Sequence, residues 1–160
     1  MAEFITSHIN NFPITRISSH HLQDSCSASY KAMKKKGYAM KQKAIQYLSC
    51  NAEATLLPDR SVDLVTVLMY AFHEAPKKGR EAILQEARRL LSPGGTLAVV
   101  DISTDYVPSK TMLSGEPYVQ EYQQNIHKQL ARRSGFDSCK YETVVDGHLG
   151  MWTLKRSAMA

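Results

Sequence analysis

Only three cysteines occur in the 160 residues, Cys26, Cys50 and Cys139, far apart and with no C-x-x-C pair. An odd, scattered set excludes a disulfide framework or a zinc ribbon as the organising device, and it fits the cytoplasm or another reducing intracellular compartment. No apolar run approaches the roughly 20 residues that cross a bilayer. The first 30 residues have neither a basic start nor the apolar stretch of a secretory signal. The chain therefore reads as neither spanning a membrane nor secreted, and the lack of any N-x-S/T acceptor agrees. Glycine is absent before Gly37, so no glycine-rich nucleotide loop opens the chain.

What is present is the make-up of one globular domain, 43% hydrophobic and 22% charged. A chain of this size buries roughly 68 to 70% of its unfolded surface, enough for a core without disulfides or a structural metal. The net charge of +5 is local. Residues 1–29 carry Arg16 against Glu3 and Asp24, and residues 44–160 hold 13 basic and 13 acidic groups. The excess is six lysines, Lys31, Lys34, Lys35, Lys36, Lys41 and Lys43, with no acid among them. Such a cluster attracts phosphate, but lysines without arginine or interleaved aromatics read as a solvated face, which argues against a nucleic-acid partner.

Residues 1–29 are polar, keep no apolar period, and read as loop with one short strand. Residues 30–36 suit the end of a helix capped by Gly37. Strands are expected over 44–50, 61–68 and 97–102, the last two nearly continuous in Val, Leu and Ile, as in a parallel sheet buried on both faces. Ile83, Leu84, Ala87, Leu90 and Leu91 repeat at helical spacing, predicting a helix over 76–91 stopped by Pro93-Gly94-Gly95 and hence a βαβ unit. Tyr118, Val119, Tyr122, Ile126 and Leu130 make the stripe of a second helix over 117–134, capped by Gly135. Asp146-Gly147 between 139–145 and 149–154 predicts a β-hairpin.

Three motifs follow one another in order: Asn51-Ala52-Glu53 after a strand, Pro58-Asp59-Arg60-Ser61-Val62-Asp63-Leu64-Val65 into the next, and Leu91-Ser92-Pro93-Gly94-Gly95-Thr96-Leu97 into a third. The set resembles the second half of class I S-adenosyl-L-methionine (SAM) dependent methyltransferases, the ubiquinone and menaquinone biosynthesis group with its methyltransferase type 11 domain. The resemblance runs over about residues 30–156, leaving 1–29 as a polar leader and 157–160 as a tail. It implies an α/β, Rossmann-like sheet of spatial order 3-2-1-4-5-7-6, SAM as cofactor and methyl transfer to a small-molecule acceptor.

By that resemblance Asn51 and Ala52 fall where the family holds adenine, and an Asn carbonyl can accept from its exocyclic amine; Asn51 equally suits a strand end. Leu68 and Met69 fall beside the methionine arm, and Tyr70 and His73 beside the acceptor, at the sheet edge where open α/β folds bind ligands. Phe72 is a core or pocket-wall aromatic, and His73 is a pocket residue or starts a helix. His73-Glu74 has the composition of a metal or acid–base pair, but no third ligand is spaced nearby, so no metal is assigned. No catalytic residue is assigned either: transfer from a sulfonium to a nucleophilic acceptor needs mainly alignment.

The chain departs from the family at its start. The glycine-rich turn after the first strand and the acid after the second, which binds the ribose hydroxyls, are both missing. A strand, helix and strand take about 30 residues or more, which 1–29 cannot supply, so the first two strands are expected to be missing or replaced. The flanking strands then close up in a new pairing or leave an exposed edge that invites oligomers. Two hydrogen bonds to a carboxylate, at ~1.5 to 3 kcal/mol each, correspond to roughly 2 to 4 decades of affinity, so SAM binding is expected to be weak or absent. The rival is a truncated, non-catalytic remnant serving as an interaction module or subunit. A nicotinamide dehydrogenase lacks support, because its dinucleotide fingerprint is equally absent.

Overall fold

The computed structural model of the protein describes residues 3–7, 15–18, 46–48, 50–68, 71–133 and 136–158. One sheet holds β1 (Glu3–Ser7), β2 (Thr15–Ser18), β3 (Gln46–Leu48), β4 (Val62–Leu68), β5 (Leu91–Ile102), β6 (Ser138–Val145) and β7 (Leu149–Lys155). Three helices are described, α1 (Lys77–Leu90), α2 (Lys110–Gly115) and α3 (Val119–Arg133). The strand order is β3-β2-β1-β4-β5-β7-β6. This is an α/β, Rossmann-like class I sheet, with its first two strands replaced and a C-terminal antiparallel hairpin.

The expected βαβ unit is β4, α1 and β5, with β4 parallel to β5 from Leu64↔Thr96 to Leu68↔Val100. Val65, Val67, Leu97 and Val99 are buried, and Ile83, Leu84, Ala87 and Leu90 of α1 join them in the core. Each fully buried aliphatic side chain of this size contributes ~1.5 to 3 kcal/mol. Val119, Tyr122, Ile126 and Leu130 of α3 are buried too, and Trp152 and Leu154 of β7 complete the cluster. Tyr118, placed on the stripe by spacing, is instead exposed ahead of the first turn of α3. The hairpin turn at Asp146-Gly147 forms as expected, with Gly147 at φ 60°.

The helix before β5 ends within one residue of the expected 91, but the strand begins at Leu91 and not at 97. Leu91 is already extended and pairs with Val62, and the next pair is Leu64↔Thr96, so residues 92–95 bulge opposite Asp63 alone. Gly94 at φ +76° makes that bulge possible.

The largest correction concerns the start of the chain. Residues 1–29 contribute two strands where the sequence pattern predicts one, and they fill the slot expected to be a gap. β1 runs antiparallel to β4 from Glu3↔Leu68 to Ser7↔Leu64, and antiparallel to β2 from Glu3↔Ser18 to Thr6↔Thr15. β2 is in turn parallel to β3. Antiparallel neighbours need only a short link, whereas parallel ones need a crossover of a dozen residues or more. Only residues 8–14 separate β1 from β2. The reversal of β1 is thus what so short a segment permits, and it gives β4 a partner on each side. The lysine cluster and the helix expected over 30–36 lie outside the described residues, as does Gly135.

Candidate active site

The C-terminal ends of β4 and β5 carry a buried polar centre. Asp101, near the end of β5, is 1% exposed. Its Oδ2 accepts the backbone N–H of Phe72 at 2.9 Å and of His73 at 3.2 Å, and its Oδ1 accepts Ile102 N–H at 2.8 Å and bonds His73 Nδ1. One carboxylate therefore fixes both the 71–75 loop and the imidazole it carries. Burial works to lower the His73 imidazole, but the Asp101 hydrogen bond and the charges of Asp101, Glu116 and Glu74 outweigh it and raise it above its ordinary value.

Arg80 of α1 secures the same loop from within. It is fully buried, donating to Ala75 O at 2.7 Å, Phe72 O at 3.4 Å and Gln129 Oε1 at 2.9 Å, with Glu121 as its ion partner. Phe72 is 0% exposed, which makes it a core residue and not a pocket wall.

Glu116 faces His73 from the other side. Ser109 caps α2 by accepting Met112 N–H at 3.1 Å, Glu116 N–H closes the helix on Met112 O at 2.8 Å, and Val119 N–H bonds Glu116 O at 3.3 Å. The junction of α2 and α3 so sets the Glu116 carboxylate 3.3 Å from His73 Nε2. A cavity of about 630 Å³ opens here, within the range of small-molecule sites. His73, Glu74 and Glu116 line one part of it, and Tyr106, Met112 and Leu149 another. Donor atoms of His73, Glu74 and Glu116 lie within 4.8 Å of one another, so the fold brings in the third potential metal ligand that spacing along the chain does not supply.

The residues predicted from sequence separate into two groups. His73 lines the cavity, and its neighbour Glu74 does as well. Asn51, Ala52 and Leu68 do not. Leu68 ends β4 between Glu3 and Val100. Asn51 is exposed and opens a tight turn that Ala54 N–H closes on Asn51 O at 3.0 Å, while its Oδ1 accepts Glu53 N–H at 3.0 Å. Met69 and Tyr70 lie outside the described residues. Asp101 and Glu116 were missed. An acid ending the apolar run 97–100 is a signal that could have found Asp101; nothing in the sequence marks Glu116.

The sheet order, the βαβ unit and a polar site at the strand ends define a class I methyltransferase fold. The methyltransferase domain family matches residues 16–99, more than half of the chain, and the chain belongs to that family. It is similar to the ubiquinone/menaquinone biosynthesis C-methyltransferase UbiE of Shewanella frigidimarina, 37% identical over 60 residues that make up 38% of this chain and 23% of that protein. The match thus spans about a quarter of that relative's length. A SAM-dependent methyltransferase from Methanosarcina mazei superposes with a TM-score of 0.59 at 14% identity, covering 88% of this chain and 81% of that one. An arsenic(III) SAM methyltransferase from Chlamydomonas reinhardtii gives 0.58 at 19% identity, over 91% and 55%.

SAM is the cofactor of this family, and the described residues fit it at one end. Asn51 Oδ1 keeps a second lone pair for an adenine amine. At the ribose and carboxylate end they do not fit. β2 ends at Ser18 with Ser19 next, so no acid follows it. Reversal of β1 sets its last residue, Ser7, beside Leu64 and its first, Glu3, beside Leu68, so β1 does not end on the cofactor side.

Proposed function

We propose that this domain takes part in methyl transfer from SAM to a small-molecule acceptor held in the cavity beside His73. The observation that carries the reading is a buried histidine, fixed by Asp101 at the C-terminal ends of β4 and β5, that lines a cavity of small-molecule size. SAM when bound supplies an electrophilic methyl group on its sulfonium. Asn51 and Ala52 hold adenine, Leu68 and Met69 flank the methionine arm, and Tyr70 and His73 flank the acceptor. With Nδ1 committed to Asp101, Nε2 faces the Glu116 carboxylate at 3.3 Å, and this pair takes up the acceptor's proton while Asp101 stabilises the imidazolium.

Calorimetric titration with S-adenosylhomocysteine tests the reading. A micromolar site weakened by roughly 2 to 4 decades predicts sub-millimolar to millimolar binding, weaker again in Asn51→Ala. A folded chain that evolves no binding heat up to about 10 mM overturns it. The reversed β1 favours one rival, a remnant that serves as an interaction module or subunit, and that second result is its signature.

A further inference from the structure

We infer that His73, Glu74 and Glu116 form a binding site for one divalent transition cation of the zinc type, with an open coordination position on the cavity. Two turns bring the three residues together. Ala75 N–H bonds Phe72 O at 3.2 Å, so His73 and Glu74 are the central residues of a tight turn, and both line the cavity. Glu116 arrives from the junction of α2 and α3. One imidazole nitrogen and two carboxylate oxygens, all within 4.8 Å of one another, are a donor set that suits zinc and its first-row neighbours. Magnesium and calcium prefer oxygen alone.

Two further observations point to a cation. The first lies behind the ligand: His73 Nδ1 is bonded to Asp101, a buried carboxylate that also accepts the backbone N–H groups of Phe72, His73 and Ile102. Carboxylate–histidine–metal relays have this form, because the carboxylate on one ring nitrogen fixes the tautomer and makes the other nitrogen a better ligand. The second is a distance. His73 Nε2 stands 3.3 Å from Glu116 Oε2, and two atoms each about 2.1 Å from one ion at a tetrahedral angle stand about 3.4 Å apart. The glutamates need not be free of other contacts. A carboxylate has about four lone-pair sites and can ligate through one while keeping a hydrogen bond on another. The fourth position falls on the cavity of about 630 Å³, as in zinc sites that take water or an outside ligand. Cation and proton claim the same Nε2 lone pair, so a loaded site cannot serve as the base of the reading above; the binding itself does not depend on that reading.

Calorimetric titration of the full chain with Zn2+, after EDTA treatment and dialysis, tests the site at about pH 8, where protons compete least for the ligands. One equivalent should bind at micromolar strength and resist excess Mg2+. Long-range proton–nitrogen NMR spectra should show the His73 Nε2 resonance moved by zinc. Glu116→Gln and Glu74→Gln, each with unchanged circular dichroism, should each weaken binding at least about 10-fold. Zinc held equally well by both variants is an adventitious ion only, bound elsewhere in the chain, and overturns the inference. So does a loss in one variant alone, a shift confined to other histidines, or no binding up to about 1 mM. Zinc bound by a chain that takes no S-adenosylhomocysteine would sink the methyl-transfer reading and leave the metal site standing.

Discussion

The two sides of β4 were built under different constraints. On one side β4, α1, β5, α3 and the β6–β7 hairpin follow the class in order and direction, and carry the buried cluster described above. On the other, β1, β2 and β3 keep the order of the class while β1 runs backwards. Strand order and strand direction are therefore separable. Order answers to pairing: an unpaired β4 edge must be covered. Direction answers to chain length, because a parallel neighbour needs a crossover and residues 8–14 between β1 and β2 are too few for one. Function divides along the same line. Among the described residues the cavity proposed for the acceptor is lined from His73 to Leu149. The edge proposed for the cofactor lies beside the reversed β1, where Glu3 pairs with Leu68.

The comparison can be broken hardest at Asp101. Asp101→Asn turns an amide toward N–H donors and takes the anion from His73, which should cost about 3 to 5 kcal/mol, read by urea denaturation. It should also flatten a pH dependence. Because the folded His73 imidazole is raised, its contribution is fully present below the unfolded value of about 6.5 and is lost as pH rises through the folded one. Stability of the native chain should thus fall across that window, and in the variant it should not.

Glu86 sharpens the same comparison at the junction of the two sides. Its carboxylate accepts Thr55 N–H at 2.8 Å and Arg89 Nη2 at 2.7 Å, pinning the 55–60 loop, which follows the Asn51 turn, to α1. The Arg89 hydrogen bond, with smaller help from Thr55 and against burial, brings it down to about 2. That stability is present above the ordinary carboxylate value and is lost as pH falls through about 2. Glu86→Gln should cost about 2 to 3 kcal/mol. Faster amide exchange should appear at 55–60 and not at 71–75, and equal acceleration at both would show that the loop and the cavity open as one unit.

What was legible in the sequence follows the same division. Unbroken apolar runs marked β4 and β5, and the stripe Val119, Tyr122, Ile126, Leu130 marked α3, because burial writes itself into periodicity. β1 and β2 were illegible for a physical reason. Their pairing in the sheet was decided by the bare edge of β4 and not by any alternation of their own, and Phe4-Ile5 and the lone Ile17 are apolar runs too short to stand out. Within the site, His73 was legible through its position after a strand. Glu116 was not, since its role arises where α2 meets α3, two elements distant in sequence from His73. Asp101 was legible in part: an acid closing an apolar strand needs a partner, but which partner depends on the 71–75 loop.

The smallest expected effect tests the division most directly. Ile5 sits in β1 opposite Arg16 on one side and Thr66 on the other. Ile5→Pro removes one ladder N–H whichever neighbour it serves, at a cost of about 1 kcal/mol. If β1 is a late cover on a self-sufficient half, exchange should quicken at Leu64–Leu68 while the amides of Leu97–Val99 and Trp152 keep their protection, since β4 still pairs with β5 and β5 with β7. Loss of protection at β5 and β7 in step with β4 would instead make β1 part of one cooperative unit. The reversed strand would then be a structural requirement of the whole sheet and not a cover added to it.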